Sequence, residues 1–398
     1  MGGAAAILTV NAGSSTLKFG LFDDTGQRVA GGSVEGRGTA EPAVLCWTVP
    51  PASQPVVLPG VGFDLERALQ ALLRQLHLRG MLSSLRVAVH RVVHGGARFS
   101  GPVCIDADVM VELRRLAPLA PLHQNANLRG VEVLGQALPG LIQFAAFDTA
   151  FFSALPEVET LLPLPQEVRA HGVRRYGFHG LAYEHLMASL RARSVRSQGR
   201  VLLAHLGSGC SMAAVRDGQP VATSMGFSAL DGLMMATRSG SLDPGVLLHL
   251  LDQGWTGSSL RDLLYRRSGL LGVSGLSGDW RSLQGSQSPR ARQALALFTH
   301  RATREMGALV ACLRGLDLLV FSGGIGQHDA PLRAALGQTL DFLGVRIDAA
   351  RNGAAQGGDA VRIDGDDSGV EVWVIPADEE QVLSRVGLAA LPVAGARA

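Results

Sequence analysis

Three short segments rich in glycine, serine and threonine each follow an apolar run: Asn11-Ala12-Gly13-Ser14-Ser15-Thr16, Gly207-Ser208-Gly209-Cys210-Ser211 and Ser322-Gly323-Gly324-Ile325-Gly326. Glycine lets a main chain come close to a phosphate and turn its N–H groups toward it, and hydroxyls add further donors. One such turn is also what an ordinary hairpin uses. Three of them at strand ends in one chain favour nucleotide binding. The kind of site narrows by elimination. A P-loop needs Gly-Lys-Ser/Thr, and the chain's single lysine, Lys18, is followed by Phe19. A dinucleotide fingerprint needs a third glycine, where Met212 stands after Gly207 and Gly209. A Gly-x-Ser-x-Gly hydrolase elbow is absent from the sequence. What remains is a hairpin-cradled phosphate site, present twice.

The elements that must carry these turns are legible as patterns. Residues 7–10 form an apolar run and residues 17–22 alternate, which predicts two strands of a hairpin around the first turn. Residues 85–89 and 142–147 predict buried strands. Ahead of both, Leu65, Leu69, Leu72, Leu73 and Leu76 predict a helix over 63–78, and a weaker one over 127–138 lies between the two strands. Residues 200–206 and 212–215 repeat the opening hairpin around the second turn, which suggests two related domains. Ser288 and Pro289 make an N-cap and first position for a long helix reaching Leu313. Residues 316–321 predict a buried strand that delivers the third glycine segment, and a final helix starts near Asp378. Asp364, Asp366 and Asp367 invite a calcium-loop reading, but Ile375 stands where the closing Glu belongs, so residues 351–369 are expected to be a solvated loop.

Composition excludes several classes. At 398 residues the chain can bury two cores, and with 47% hydrophobic and 18% charged residues it reads as a globular enzyme. A net charge of +2 makes neither nucleic acid nor a membrane surface the default partner. No apolar run approaches the ~18 residues of a membrane span. The first residues lack the pattern of a secretory signal, and Ala6 breaks that of a myristoylation site. Cys46, Cys104, Cys210 and Cys312 are too scattered for a zinc site or a disulfide framework. A cytoplasmic location is the expectation.

A chain of motifs then narrows the reading further. Residues 8–19, Leu-Thr-Val-Asn-Ala-Gly-Ser-Ser-Thr-Leu-Lys-Phe, resemble the opening signature of acetate kinases, the acetokinase family of short-chain carboxylate kinases. Similar motifs follow in the family's order: His90-Arg91-Val92-Val93-His94-Gly95-Gly96, Ala120-Pro121-Leu122-His123, Phe147-Asp148-Thr149-Ala150-Phe151, and Arg175-Tyr176-Gly177-Phe178-His179-Gly180. Then come His205-Leu206-Gly207, Thr237-Arg238-Ser239-Gly240, Gly323-Gly324-Ile325-Gly326 and Glu379-Glu380. The resemblance covers essentially the whole chain. It implies an α/β, two-domain actin/sugar-kinase/Hsp70-like fold, a duplicated ribonuclease-H-like unit, with ATP/ADP and Mg2+ in an interdomain cleft and a homodimer. Residues 1–149 with the helix 378–398 would form one actin-like ATPase domain, and 150–377 the second, carrying nucleotide and dimer contacts. It also implies transfer of the γ-phosphoryl group of MgATP to acetate, reversibly and in line.

Single residues acquire roles on the same terms. Arg91 and Arg238 match the family's active-site arginines. An ionised carboxylate meeting ATP brings like charges together, at roughly 4 kcal/mol for each pair ~4 Å apart at an effective dielectric of 20. Arginine forks offset that repulsion and hold planar oxygens in line. Because the nucleophile is already an anion, Asp148 is read as orienting an arginine or Mg2+, with a helix N-cap as the alternative. His179 would hydrogen-bond the transferring group with His123 in support, while His90 and His94 are read as mainly structural. His205 is likewise read as mainly structural, although it lies in the nucleotide motif. Asn11, Ser14, Thr16 and Lys18 match the first phosphate motif, and His205, Gly207, Ser208 and Gly209 the second. Asp279, Trp280 and Arg281, with Gly323, Gly324, Ile325 and Gly326, would hold the rest of the nucleotide. Asn11 and Glu379 would serve the metal, although Glu379 also suits the first turn of a helix on its own.

Val93, Leu122, Phe178 and Ala229 would line an acyl pocket. Ala229 stands where the family commonly has Pro, which keeps a propionate or butyrate kinase as the nearest alternative. Other departures are Phe152 for His, Ser208 for Asn, Trp280 for Phe and Gln327 for Glu. A rival of a different class is a nucleotide-driven binding module, but two such domains use up the chain.

Overall fold

Among the described residues every named strand lies in one of two sheets, and the two share a central plan. The computed structural model describes residues 5–13, 15–36, 41–49 and 54–395, with the side chains of the last helix as far as Leu391. The chain divides into two compact units, Met1–Ser153 with Asp378–Ala398, and Ala154–Ala377.

The first unit holds β1 (Ile7–Ala12), β2 (Thr16–Phe22), β3 (Arg28–Glu35), β4 (Val44–Val49), β5 (Val56–Val57), β6 (Val87–Val92), β7 (Val103–Cys104) and β8 (Ile142–Phe147). Their order across the sheet is β5-β4-β3-β2-β1-β6-β8-β7. β1, β2 and β3 form an antiparallel meander, whereas β6 runs parallel to β1 and β8 parallel to β6. Ile7, Leu8 and Val10 are fully buried, as suits a central strand covered on both faces. The helix Leu65–Leu78 is capped by the Asp64 side chain and buries Leu69, Leu72 and Leu76 at helical spacing. The last helix, Glu379–Gly395, returns to this unit and packs on β1 and β6.

The second unit holds β9 (Arg200–Leu206), β10 (Cys210–Arg216), β11 (Gln219–Thr223), β12 (Leu318–Ser322), β13 (Val361–Arg362) and β14 (Glu371–Val374), in the order β11-β10-β9-β12-β14-β13. β9, β10 and β11 are again an antiparallel meander, and β12 and β14 again run parallel to β9. The helix Pro289–Leu313 starts at the Ser288 cap, with proline where the missing N–H costs nothing, and buries a stripe from Ala291 through Phe298 and Met306 to Leu313.

The central five strands of the two units therefore match in order and direction, β3-β2-β1-β6-β8 against β11-β10-β9-β12-β14. This is the ribonuclease-H-like sheet built twice, the actin/sugar-kinase/Hsp70-like fold. Two local expectations change. Ser322-Gly323-Gly324-Ile325-Gly326 is the start of a helix, Gly323–His328, and not a simple turn, because a parallel strand must be left by a crossover. The 351–369 region contains the helix Ala349–Ala354 and β13, and Asp364 is buried, paired with Arg362 at 2.7 Å and accepting from Val372 N at 2.9 Å.

Gly323 shows how tightly the third glycine segment is set. Its φ is +76°, and a Cβ there would lie 2.5 Å from the Leu206 carbonyl oxygen on the adjacent parallel strand. Gly323→Ala should lower stability by about 2–3 kcal/mol, seen as a lower urea midpoint at unchanged slope. A midpoint equal to wild type would count against this geometry.

Candidate functional site

In the first unit the site begins at the carboxyl ends of parallel strands. Asn11 is the penultimate residue of β1, Arg91 the penultimate residue of β6, and Asp148 directly follows β8, so three polar side chains emerge from adjacent strands. The Arg91 guanidinium donates to both oxygens of Asp148, Nε at 3.0 Å and Nη2 at 2.5 Å, and its Nη1 donates to Asn11 Oδ1 at 3.0 Å. Asn11 Nδ2 donates to Glu379 Oε2 at 3.0 Å, and the same carboxylate oxygen lies 3.4 Å from Arg91 Nε. Both oxygens of Asp148 thus accept from Arg91, the arginine-orienting contact read for it from the sequence. Glu379 stands in the first turn of its helix and also joins this cluster.

Long-range hydrogen bonds hold the frame. The loop after β6 is pinned where Asn127 Oδ1 accepts from Val93 N at 3.0 Å, while Asn127 Nδ2 donates to Ala12 O at 2.6 Å. Gln124 accepts from His94 N at 3.1 Å, and Thr149 Oγ1 accepts from Gly95 N at 3.0 Å. Arg28 ties down the start of the last helix through Asp378 at 2.9 Å and Glu380 at 2.5 Å, which sets the residue between them, Glu379, toward Asn11. Thr149 lies within the motif of residues 147–151, but Arg28, Asn127 and Gln124 carry no motif signal of their own; a buried Asn or Gln becomes visible only once its partners are placed.

One cation shared by two carboxylates leaves this cluster with an excess negative charge. Asp148 is 1% exposed, and burial pushes its carboxyl up to about 6, against the pull of Arg91 and with a further push from Glu379. Burial also works against the Arg91 charge, but Asp148 and Glu379 outweigh it and raise its pKa. Oxygen donors with surplus negative charge suit a hard divalent cation. Among the described residues no group of three or more His, Cys, Asp or Glu forms an all-protein metal cage, but Mg2+ bound through one or two carboxylates, water and phosphate needs none. His90 and His94 are buried beside the cluster and burial lowers both to about 4, so they are neutral; His90 bonds Gln143 at 2.7 Å. Lys18 is exposed on β2 directly opposite Asn11, and Thr16 is half-buried. Ser14 lies outside the described residues. His123 stands at the start of the helix Gln124–Ala137, without a side-chain cap bond.

The second unit gathers a different set. His179 has φ +61°, a left-handed conformation that costs a non-glycine residue about 1–2 kcal/mol, and it opens the helix Gly180–Arg191. The loop before it is fixed by Arg175, which donates to the carbonyls of Thr223 and Met225, both at 3.1 Å. His179 Nδ1 lies 2.8 Å from Ser211 Oγ, and its ring sits 5.0 Å from that of His205. A Cβ placed on Gly209 would meet His179 Nε2 at 3.4 Å and Arg238 Nη1 at 3.9 Å, so the second glycine turn, His179 and Arg238 come together. Arg238 donates to the Ala229 carbonyl at 2.9 Å, which links two residues that the motifs place nine positions apart. Ser208 O accepts from Ala236 N at 3.1 Å. The second and third glycine segments also converge: a Cβ on Gly207 would stand 3.8 Å from Gly324 N.

A Cβ on Gly324 would meet no protein atom, so packing does not demand glycine there and the space is open to a ligand. Ile325 is half-buried and Gly326 buried. Asp279 caps its own helix through Ser282 N at 2.8 Å, and Arg281 is exposed. Trp280 is turned into the core against Phe298, with Nε1 donating to Asp329, so any influence of this departure on nucleotide choice must run through packing and not through stacking on a base. The four apolar residues expected at the acyl group divide evenly: Val93 is buried and Leu122 half-buried in the first unit, Phe178 buried and Ala229 half-buried in the second.

The Acetokinase family model matches residues 6–385. The chain belongs to the Acetokinase family. An "Acetate kinase" of Rhodopseudomonas palustris (strain TIE-1) is 43% identical over 387 residues, covering 95% of this chain and 96% of that protein. A "Propionate kinase" of Citrobacter rodentium is 39% identical over 403 residues, with 98% of each chain covered. The crystal structure of the Porphyromonas gingivalis acetate kinase superposes with a TM-score of 0.87 at 34% identity, covering 98% of this chain and all of that one. Within the Acetokinase family the chain has no helix among its described residues long and apolar enough to cross a membrane.

The buried carboxyl gives a test with a definite sign. Asp148 takes up a proton more readily in the folded protein, at about 6, than at its ordinary value of 3.8. This carboxyl therefore favours the folded state below about pH 4, and the contribution is lost as pH rises through about 6. Between those limits the stability of wild type should fall by about 3 kcal/mol relative to Asp148→Asn, measured as urea unfolding at a series of pH values. Parallel curves for the two proteins would place the Asp148 carboxyl outside the buried charge cluster.

Proposed function

We propose that this protein transfers the γ-phosphoryl group of ATP to acetate, giving acetyl phosphate and ADP by direct in-line displacement. The observation that carries the reading is the Arg91 guanidinium, held rigid by a buried Asp148 and flanked by Asn11 and Glu379, in a chain of the Acetokinase family. A carboxylate nucleophile needs no general base, so positioning and charge compensation are the main tasks. Arg91 and Arg238 would offset the repulsion between acetate and the phosphates. His179, supported by His123, would donate to the phosphoryl oxygens. Asn11, Ser14, Thr16 and Lys18 in the first unit, and the segments of Gly207 and Gly324 in the second, would hold phosphates through N–H and hydroxyl donors. His205, Ser208, Gly209, Asp279, Trp280, Arg281, Gly323, Ile325 and Gly326 would complete the nucleotide's surroundings, with Trp280 acting through packing. Asn11 and Glu379 would serve Mg2+, which when bound neutralises phosphate charge.

A propionate kinase reading has its own support in Ala229, whose small side chain replaces the family's common proline beside Arg238, and in the relative named for that activity. Val93, Leu122 and Phe178 would be shared by either acid. One methylene is worth only about 1–3 kcal/mol in such a pocket, so a single substitution can shift preference.

Purified protein given MgATP with acetate, propionate or butyrate, and hydroxylamine to trap acyl phosphate, separates these readings. Acetate should give the highest kcat/KM, chelation of Mg2+ should abolish turnover, and Arg91→Ala or Arg238→Ala should lower it by about 10³-fold in folded protein. Propionate leading in wild type, with acetate leading after Ala229→Pro, would move the assignment to a propionate kinase. ATP binding without any acyl phosphate would support the binding-module class instead.

A cytoplasmic homodimer fits the same reading. The helix Pro244–Asp252 carries Val246, Leu248 and Leu251 at 45%, 63% and 45% exposure and buries none of its residues. A self-complementary apolar patch of that kind is what a two-fold interface would cover. Sedimentation should give a dimer for wild type and a monomer for Leu248→Asp; a monomeric wild type would remove this part of the proposal.

A further inference from the structure

His179 and Tyr183 stand one helical turn apart, with Tyr183 N bonded to His179 O at 3.1 Å, and both side chains reach the same serine on β10. Tyr183 Oη lies 2.5 Å from Ser211 Oγ, and Ser211 Oγ lies 2.8 Å from His179 Nδ1. Tyr183 and Ser211 are completely buried, and Ser211 pairs across the sheet with His205, whose ring backs that of His179. The other nitrogen of His179, Nε2, faces Gly209, where an added Cβ would lie 3.4 Å from it and 3.9 Å from Arg238 Nη1.

A neutral imidazole carries one N–H, and its position decides what the ring can do. A phosphoryl oxygen arriving near Gly209 needs a donor at Nε2; a lone pair there would repel it. Nε2 can hold the proton only if Nδ1 accepts, so Ser211 must donate to Nδ1 and receive a hydrogen bond in turn. Burial raises the Tyr183 pKa, which keeps its hydroxyl protonated and able to supply that bond. We propose that Tyr183 and Ser211 are positioning residues for phosphoryl transfer: Tyr183 Oη–H donates to Ser211 Oγ, Ser211 Oγ–H donates to His179 Nδ1, and the imidazole is locked with its N–H at Nε2. The proposal rests on the reading above that His179 meets the transferring group. The same line fixes the ring's direction, which the left-handed backbone at His179 alone does not.

The test combines 15N-histidine NMR with steady-state kinetics of Tyr183→Phe, Ser211→Ala, Ser211→Thr, the double variant Tyr183→Phe/Ser211→Ala, and His179→Ala. In wild type the His179 resonances should report protonated Nε2, and in Ser211→Ala a mixture of tautomers. kcat should fall about fivefold in Tyr183→Phe and about 30-fold in Ser211→Ala, with KM for ATP and acetate within twofold. The double variant should be no slower than Ser211→Ala, since both act through one line, and Ser211→Thr should recover most of the loss. The double variant also removes both buried hydroxyls together, so it should fold even if Ser211→Ala, which leaves Tyr183 without its serine partner, does not. A wild-type ring protonated at Nδ1 overturns the proposal. Wild-type kcat in the folded variants, with His179→Ala severely impaired, overturns the positioning role while leaving that of His179 intact. Full turnover in His179→Ala removes both.

Discussion

One guanidinium between two carboxylates sets the terms for the first unit. A buried carboxylate is tolerated when a fork of N–H donors meets it, and Arg91 gives Asp148 such a fork while also reaching Asn11. Removing one member would leave the other charged and without compensation, so strand ends, loop and last helix are all constrained to deliver their side chains to one place. The parallel pairing of β1, β6 and β8 does most of this, because it brings three carboxyl ends to the same edge of the sheet. Arg28 completes it by anchoring the last helix from the opposite end of the sequence.

The second unit uses the same sheet for a different electrostatic purpose. The carboxyl ends of β9 and β12 again lie side by side, but they present glycine main chain, hydroxyls and imidazole in place of carboxylates. Cys210, which closes the second glycine turn, is held inert: burial pushes its thiol up to about 12, and it donates to Gly207 O at 3.0 Å. One copy of the fold thus concentrates negative charge and the cation that orders it. The other offers donors suited to anionic oxygens, together with Arg238.

Sequence alone was most informative where a signal is local. The strands at 142–147 and 200–206, and the helix from Pro289 to Leu313, coincide with their expected limits because apolar runs and caps are written in adjacent residues. The third glycine segment was misjudged as a turn, since glycine and serine serve hairpins and helix starts alike and only the direction of the next strand distinguishes them. Asp364 was expected in solvent because its neighbours are polar; its burial depends on Arg362 and Val372, which come into range only through the β13–β14 pairing. Ser211 is legible as a hydroxyl of the second glycine segment, but its pairing with Tyr183 is not, for a related reason. They are 28 positions apart, and nothing in either segment announces the other.

The departures from the family pattern are compatible with an intact site because several fall where the main chain does the holding. Ala229 supplies its carbonyl to Arg238, Ser208 supplies its carbonyl to Ala236, and the Gln327 carbonyl accepts from Arg333 at 2.7 Å. Any residue offers that carbonyl, so the geometry survives a change of side chain. Arg333 extends the point. It is completely buried and donates to the carbonyls of Gly326, Gln327, Asn352 and Ala355 as well as to Asn352 Oδ1, clamping the end of the helix that begins at Gly323. Asp329, which caps the next helix through Leu332 N at 2.8 Å, receives Trp280 and Gln284 from the other side. The larger indole at position 280 is therefore absorbed by a hydrogen bond and an aromatic contact behind the glycine segment. At positions 208, 229 and 327 the main chain carries the contact and at 280 packing absorbs the change, whereas the charged cluster of Asn11, Arg91, Asp148 and Glu379 depends on side-chain chemistry that no main chain can replace.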